Sequence, residues 1–228
     1  MVLTKRLVVG WHTPDAKYTA LAESMRAQLD AVGQAHHIYT IEKPPGADWQ
    51  RTIVEIRPRL VLRAMDDHPD TQILFLDTDV YVTASLDPLF DHLQRCDVAF
   101  AFYNAFGTPR AQDHRGRSKS RLHPTGRIHL FNPTPVAREF AARWIEECKD
   151  ARTEEVALTN VICSGAVPAN IAAIPLIYAA YEIDRAPEGA VITHESVHLK
   201  EITISQKLNK KLSQVAGSLA YRLGGKKG

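Results

Sequence analysis

Three cysteines in 228 residues, Cys96, Cys148 and Cys163, stand far apart and form no C-x-x-C pair. That excludes a disulfide framework and a zinc knuckle, and it reads as structural thiols in a reducing compartment. Long apolar runs are lacking too. The opening "MVLTKRLVVGWH" carries too short an apolar stretch for a signal peptide, and nothing later approaches a membrane span. The expectation is a cytoplasmic protein. Charge of one sign is also scarce: 28 Lys and Arg face 26 Asp and Glu, so composition alone names no partner. No internal repeat appears, and the length suits one domain, or one domain with a tail.

What is present is an alternation of strand and helix signals. Residues 6–12 read as a strand, broken at Gly10 and the "TPD" turn. Helical spacing of Leu21, Met25 and Leu29 predicts a helix over 15–32, ended by Gly33. Residues 36–42 alternate like a second strand, 43–48 form a loop, and a helix is expected from about Pro58 to Asp67. Asp87 as N-cap and Pro88 start a helix over 85–96. A strand over 97–103 leads into a long loop over 104–126, followed by a strand over 127–132. Helices are expected over 135–148 and 153–164, and extended chain over 169–175 and 190–194. The pattern predicts an α/β fold with a mostly parallel sheet flanked by helices.

One stretch carries chemistry. "ILFLDTDVYV" (73–82) runs four apolar residues, without alternation, into two aspartates. An unalternating run suits a strand covered on both faces. In extended chain, residues two apart point the same way, so Asp77 and Asp79 face one ligand. Ligands in open α/β sheets bind at the carboxyl ends of strands. Paired carboxylates there fit a divalent cation, Mn²⁺ or Mg²⁺, holding a diphosphate. A phosphatase of the haloacid-dehalogenase type would instead use the first aspartate as nucleophile. That group wants Thr or Val two residues after the second, where Tyr81 stands, and wants the motif on the first strand.

A competing match is "HESVH" (194–198), which satisfies H-E-x-x-H: zinc on His194 and His198, with Glu195 as base. That motif needs a helix, yet the preceding "AVIT" reads as a strand. It also needs a third protein ligand, and after Glu201 the chain has no Asp, Glu or His. A zinc-dependent hydrolase and a non-catalytic anion-binding module are the alternatives to a transferase.

With these motifs placed, residues 6–200 resemble the GT-A-fold nucleotide-diphospho-sugar glycosyltransferases, glycogenin-like and related families. The resemblance implies a single GT-A-like (Rossmann-like) domain over 1–201, followed by a basic, helical C-terminal tail over 202–228. "TPDAKY" (13–18) looks like the nucleotide-binding segment and implicates Thr13 and Tyr18. Arg57 stands where the family places a basic residue toward the donor. "FLDTDV" is similar to the metal motif, implying Asp77 and Asp79 as ligands, with Asp77 also on the donor side. "PTGRIHLFNPT" (124–134) resembles the strand whose glycine, here Gly126, lies against the donor sugar. "EEVALTNV" (154–161) looks like the segment that approaches the sugar, with Glu154 and Glu155 as base or as hydroxyl contacts. "HESVHLK" then takes another reading: His194 as third metal ligand and Lys200 on the diphosphate. The implied activity is metal-dependent glycosyl transfer from a nucleotide sugar, a UDP-sugar. Departures from the pattern are Pro124 for the family's Asn, Glu154-Glu155 for an Asp-Gln pair, and Glu201 after Lys200.

The acceptor is signalled by charge. Arg110, Arg115, Arg117, Lys119, Arg121 and Arg127 gather in the loop, against Asp113 alone. By family analogy this loop flanks the donor pocket, with Arg115, Arg117, Lys119 and Arg121 as acceptor contacts. The expectation is an anionic acceptor, for example DNA with hydroxymethylated bases. The tail repeats the sign: from Ile202 it has no acid, and Ile204, Leu208, Leu212, Val215 and Leu219 recur at helical spacing. It reads as a terminal helix packing on the core, or as a basic amphipathic helix meeting a membrane surface or nucleic acid.

Overall fold

The computed structural model describes residues 5–43, 45–46, 48–104, 122–181 and 186–194, all within one compact unit. The basic loop with Arg115, Arg117, Lys119 and Arg121, the residues Glu195, His198 and Lys200, and the tail with its expected boundary at residue 202 lie outside them.

Strand β1 (Lys5–His12) leads into helix α1 (Ala16–Ala31), then β2 (His36–Thr40) and helix α2 (Trp49–Asp67). Strand β3 (Thr71–Leu76), a short β4 (Val80–Val82) and α3 (Asp87–His92) follow. Next come β5 (Val98–Asn104), β6 (Leu122–Phe131), α4 (Pro135–Cys148) and α5 (Glu154–Ser164). Short strands β7 (Ile171–Ala173), β8 (Ala180–Tyr181) and β9 (Ile192–His194) close the described chain. Six strands form one mostly parallel sheet in the order β2-β1-β3-β6-β5-β7, in which β6 runs antiparallel to both of its neighbours. The other three, β4-β9-β8, make a second small sheet that the sequence pattern had not announced.

The unalternating run in β3 has the predicted cause. Ile73 and Phe75 enter a core with α2, α4 and α5, while Leu74 and Leu76 enter a second core with α1, α3 and the small sheet. All four are fully buried, each contributing about 1.5–3 kcal/mol of transfer free energy. On α1 the buried stripe is Ala22, Met25 and Leu29, with Leu21 only half-buried.

Four sequence expectations need correction. Helix α3 covers only Asp87–His92 of the expected 85–96, and its N-cap is Leu86, with Asp87 the first helical residue. Gly10 does not break β1; it lies inside it, where an added Cβ would stand 2.9 Å from the Leu76 carbonyl oxygen on β3. Close strand approach is its reason. Helix α2 begins at Trp49, capped by Asp48, whose side chain accepts from the Arg51 amide, and Pro58 falls inside it. A proline there cannot donate to the Val54 carbonyl four residues back. The Cys148 thiol donates to that oxygen instead, at 3.2 Å. Finally, β6 begins at Leu122, five residues before the expected start, so Pro124 and Gly126 belong to the strand with Arg127, not to the loop. Because β3 ends at Leu76, β6 before Arg127 pairs with β5 alone, through a bulge at Phe100/Phe102.

Candidate active site

The carboxyl end of β3 meets the first turn of α5 beside β6. The chain leaves β3 at Leu76, and Asp77 donates its amide to the Arg127 carbonyl at 3.0 Å. Asp77 and Asp79 therefore sit in the turn between β3 and β4, not on extended chain as expected. Arg57, half-way along α2, closes on Asp77 as a fork: Nη2 lies 2.9 Å from both carboxylate oxygens and Nε 3.2 Å from Oδ1. Its Nη1 donates to Glu154 Oε1. Burial alone would lower the Arg57 pKa; the fields of Asp77 and Glu154 and the Asp77 hydrogen bonds outweigh it and hold the group above its ordinary value. Arg57 is locked in its charged form.

Thr153 caps α5, its side chain accepting from the Val156 amide. That cap sets two acids, Glu154 and Glu155, in the first turn, where the helix dipole favours negative charge. Both reach Gly126: its amide donates to Glu155 Oε1 at 3.1 Å, and an added Cβ would lie 2.9 Å from Glu154 Oε1. Burial pushes the Glu154 carboxyl up, with Arg57 opposing.

Asp79 is pushed up by burial and then by Asp77, while Arg127 and Arg57 oppose the shift. His194 is buried on β9, and Val80, next to Asp79, pairs with it in register. Burial, and then the charge of Arg127, push the His194 pKa down to about 3, so the ring is neutral. A neutral imidazole is the form that ligates metals. His194 stands on a strand, whereas the zinc-protease motif requires a helix there.

Thus Arg57, Asp77, Gly126, Glu154 and Glu155 come together in one hydrogen-bonded cluster, with Asp79 in its field. Thr13 and Tyr18 meet at the carboxyl end of β1 through Asp15: the Thr13 hydroxyl and the Tyr18 amide both donate to its carboxylate. Two contributors went unread in the sequence. Arg127, counted there as loop charge, puts its charge beside Asp79 and His194. His129, fully buried among Phe75, Phe100 and Trp144, holds the Thr125 carbonyl through Nε2 at 2.9 Å, just below Gly126. Its pKa is pushed down to about 3, first by burial. The signal was present: a histidine on the inward side of an apolar strand.

Whether these groups suit a divalent cation is testable from charge and donor type. Four carboxylates (Asp77, Asp79, Glu154, Glu155) against two guanidinium groups (Arg57, Arg127) leave a charge of about −2, which one divalent ion offsets. Carboxylate oxygens with a neutral imidazole suit Mn²⁺, and oxygens alone suit Mg²⁺. Among the described residues no three such groups converge closely enough to hold an ion unaided. Phosphate oxygens commonly complete such shells. The residues fit an ion that arrives with a phosphorylated ligand.

No protein-family model and no curated protein matches the chain. Solved structures do. A glycosyltransferase involved in glycosylation of the major capsid of PBCV-1 superposes with a TM-score of 0.60, covering 85% of this chain and 93% of that one at 14% identity. The galactosyltransferase LgtC, solved with donor and acceptor sugar analogs, gives 0.53 over 93% of this chain and 95% of its own, at 14% identity. GlyE of Streptococcus pneumoniae TIGR4 gives 0.53 at 15% identity over 85% of this chain, which spans 55% of GlyE. At such identities the likeness is one of architecture. The chain has the GT-A-type glycosyltransferase fold.

Proposed function

We propose that the chain transfers a sugar from a nucleotide-diphospho-sugar donor, a UDP-sugar, to an anionic acceptor, with a divalent cation, Mn²⁺ or Mg²⁺. The observation that carries this reading is the Arg57 cluster, in which three distant segments deliver Asp77, Gly126 and the Glu154-Glu155 pair to the carboxyl end of β3. In open α/β sheets that end is where ligands bind.

Asp79 and His194 would hold the cation, with Asp77 using the lone pairs that Arg57 leaves. When bound, the cation supplies positive charge to the diphosphate oxygens. Arg57 keeps the Asp77 carboxylate in one orientation and adds charge toward the leaving group. Lys200 would be a diphosphate contact, as the family resemblance implies. Thr13 and Tyr18 would take the nucleotide. Gly126, lacking a side chain, lets Glu154 and Glu155 close on β6, and the sugar would lie against this corner. Arg115, Arg117, Lys119 and Arg121 would draw in a polyanion, for which DNA with hydroxymethylated bases is the candidate.

The test is slow donor hydrolysis across UDP-, GDP- and other nucleotide sugars, with Mn²⁺ or with EDTA, in wild type and Asp79→Ala. Nucleotide release from a UDP-sugar, lost with EDTA and in the variant, is the expected result. A chain that binds none of the donors by calorimetry would sink the reading.

A further inference from the structure

The first turn of α5 presents two acids side by side, and their surroundings separate them. Glu154 gives Oε1 to Arg57, and its main-chain carbonyl accepts from Trp144 Nε1 at 3.0 Å. Arg57 in turn holds both oxygens of Asp77. Glu155 is tied at one point: Oε1 accepts from the Gly126 amide at 3.1 Å, and Oε2 accepts from no other described residue. Gly126 lets both acids close on β6, since an added Cβ would lie 2.9 Å from Glu154 Oε1 and 3.4 Å from the Glu155 Cγ.

We infer that the two acids divide the work: Glu154 is a positioning residue acting through Arg57 on Asp77, and Glu155 is the catalytic residue that presents Oε2 to the donor sugar. This inference rests on the glycosyl-transfer reading above. The physical reason is availability. Glu154's charge is matched by a buried guanidinium, and using it on a sugar would strip Arg57 of a partner. Glu155 is a carboxylate with one oxygen fixed by a main-chain donor, which sets the direction of the other. An ionised carboxylate only accepts hydrogen bonds, so Oε2 suits a sugar hydroxyl or the positive charge that grows at the anomeric carbon. A diphosphate bound through a cation at Asp77 and Asp79 would bring its sugar toward this corner, where Asp77 shares Arg57 with Glu154. Among the three acids hydrogen-bonded in the cluster, Asp77 gives both oxygens and Glu154 gives Oε1 to Arg57, whereas Glu155 gives neither oxygen to a guanidinium of the described residues.

The experiment measures kcat and KM for the UDP-sugar that wild type hydrolyses, in Glu155→Gln, Glu154→Gln, Arg57→Gln and the two doubles on Arg57→Gln. Melting temperatures of all variants serve as the control for folding. Glu155→Gln is expected to lower kcat on the order of 100-fold or more at near-wild-type KM and melting temperature. It should do the same on the Arg57→Gln background. Glu154→Gln should cost activity alone, yet change kcat/KM by no more than about twofold once Arg57 is already Gln, because its effect passes through that residue. An active wild type in which Glu155→Gln is silent, or in which Glu154→Gln costs the same with and without Arg57, overturns the division while leaving glycosyl transfer standing. A wild type that turns over no donor overturns both.

Discussion

Arg57→Met is the most direct test of the cluster's energetics, because it removes the guanidinium while keeping an unbranched apolar stem. The Arg57, Asp77 and Glu154 side chains retain only 13%, 17% and 15% of their exposure, so solvent screens them poorly. The variant strands two carboxylates, one of them bound as a fork. Removing one partner from a buried pair costs about 3–5 kcal/mol, most of it the penalty of the charge left behind. Against a native stability of about 5–15 kcal/mol that is a large fraction. For a chain of this size it corresponds to a fall in melting temperature of roughly 6–20 °C. The deficit should also depend on pH, with a fixed sign. In the variant, Glu154 loses the guanidinium that opposes its burial, so its folded pKa rises further above the unfolded value and the ionised form is what costs stability. The deficit is then full at neutral pH and shrinks as pH falls through the carboxylate range. Thermal unfolding of both proteins from neutral to mildly acidic pH reads this out. A melting temperature unchanged at neutral pH would refute the argument that this pair is desolvated.

Three further outcomes follow from the fold. Gly10→Ala should cost about 1–3 kcal/mol in urea unfolding, since its Cβ would press on the Leu76 carbonyl and no side-chain rotation relieves main chain. Cys148→Ala should cost about 1–3 kcal/mol by leaving the Val54 carbonyl without a donor, and much less on a Pro58→Ala background, where a main-chain N–H takes over. His129, neutral in the fold with its pKa pushed from 6.5 down to about 3, contributes stability that is complete above pH 6.5 and lost as pH falls. His129→Phe should therefore flatten the acid limb of the stability curve by about 1.4 kcal/mol per pH unit between pH 6 and pH 4, measured by denaturant midpoints.

What the sequence determined by itself were the features set by neighbours along the chain. The apolar block of β3 announced burial on both faces, and α4 was bounded at Pro135 and Cys148 because proline opens it and the apolar stripe ends there. The Asp-x-Asp, the glycine of β6 and the acidic turn of α5 were legible as a set, and the fold they implied is the fold observed. Tertiary structure decided what depends on partners distant in sequence. Pro58 reads locally as a helix start, and only Cys148, brought across from α4, makes it tolerable inside α2. In the small sheet β9 was legible as extended chain, whereas β4 and β8, three and two residues long, are too short for a period to register and exist because they pair with it. Spacing turned Asp77 and Asp79 toward one ligand, but Arg57 reaches across from α2 to claim the first and leaves the second in the field of Arg127. Hydrophobic period is written one residue after the next; which charge meets which is fixed only when the sheet has brought the segments together.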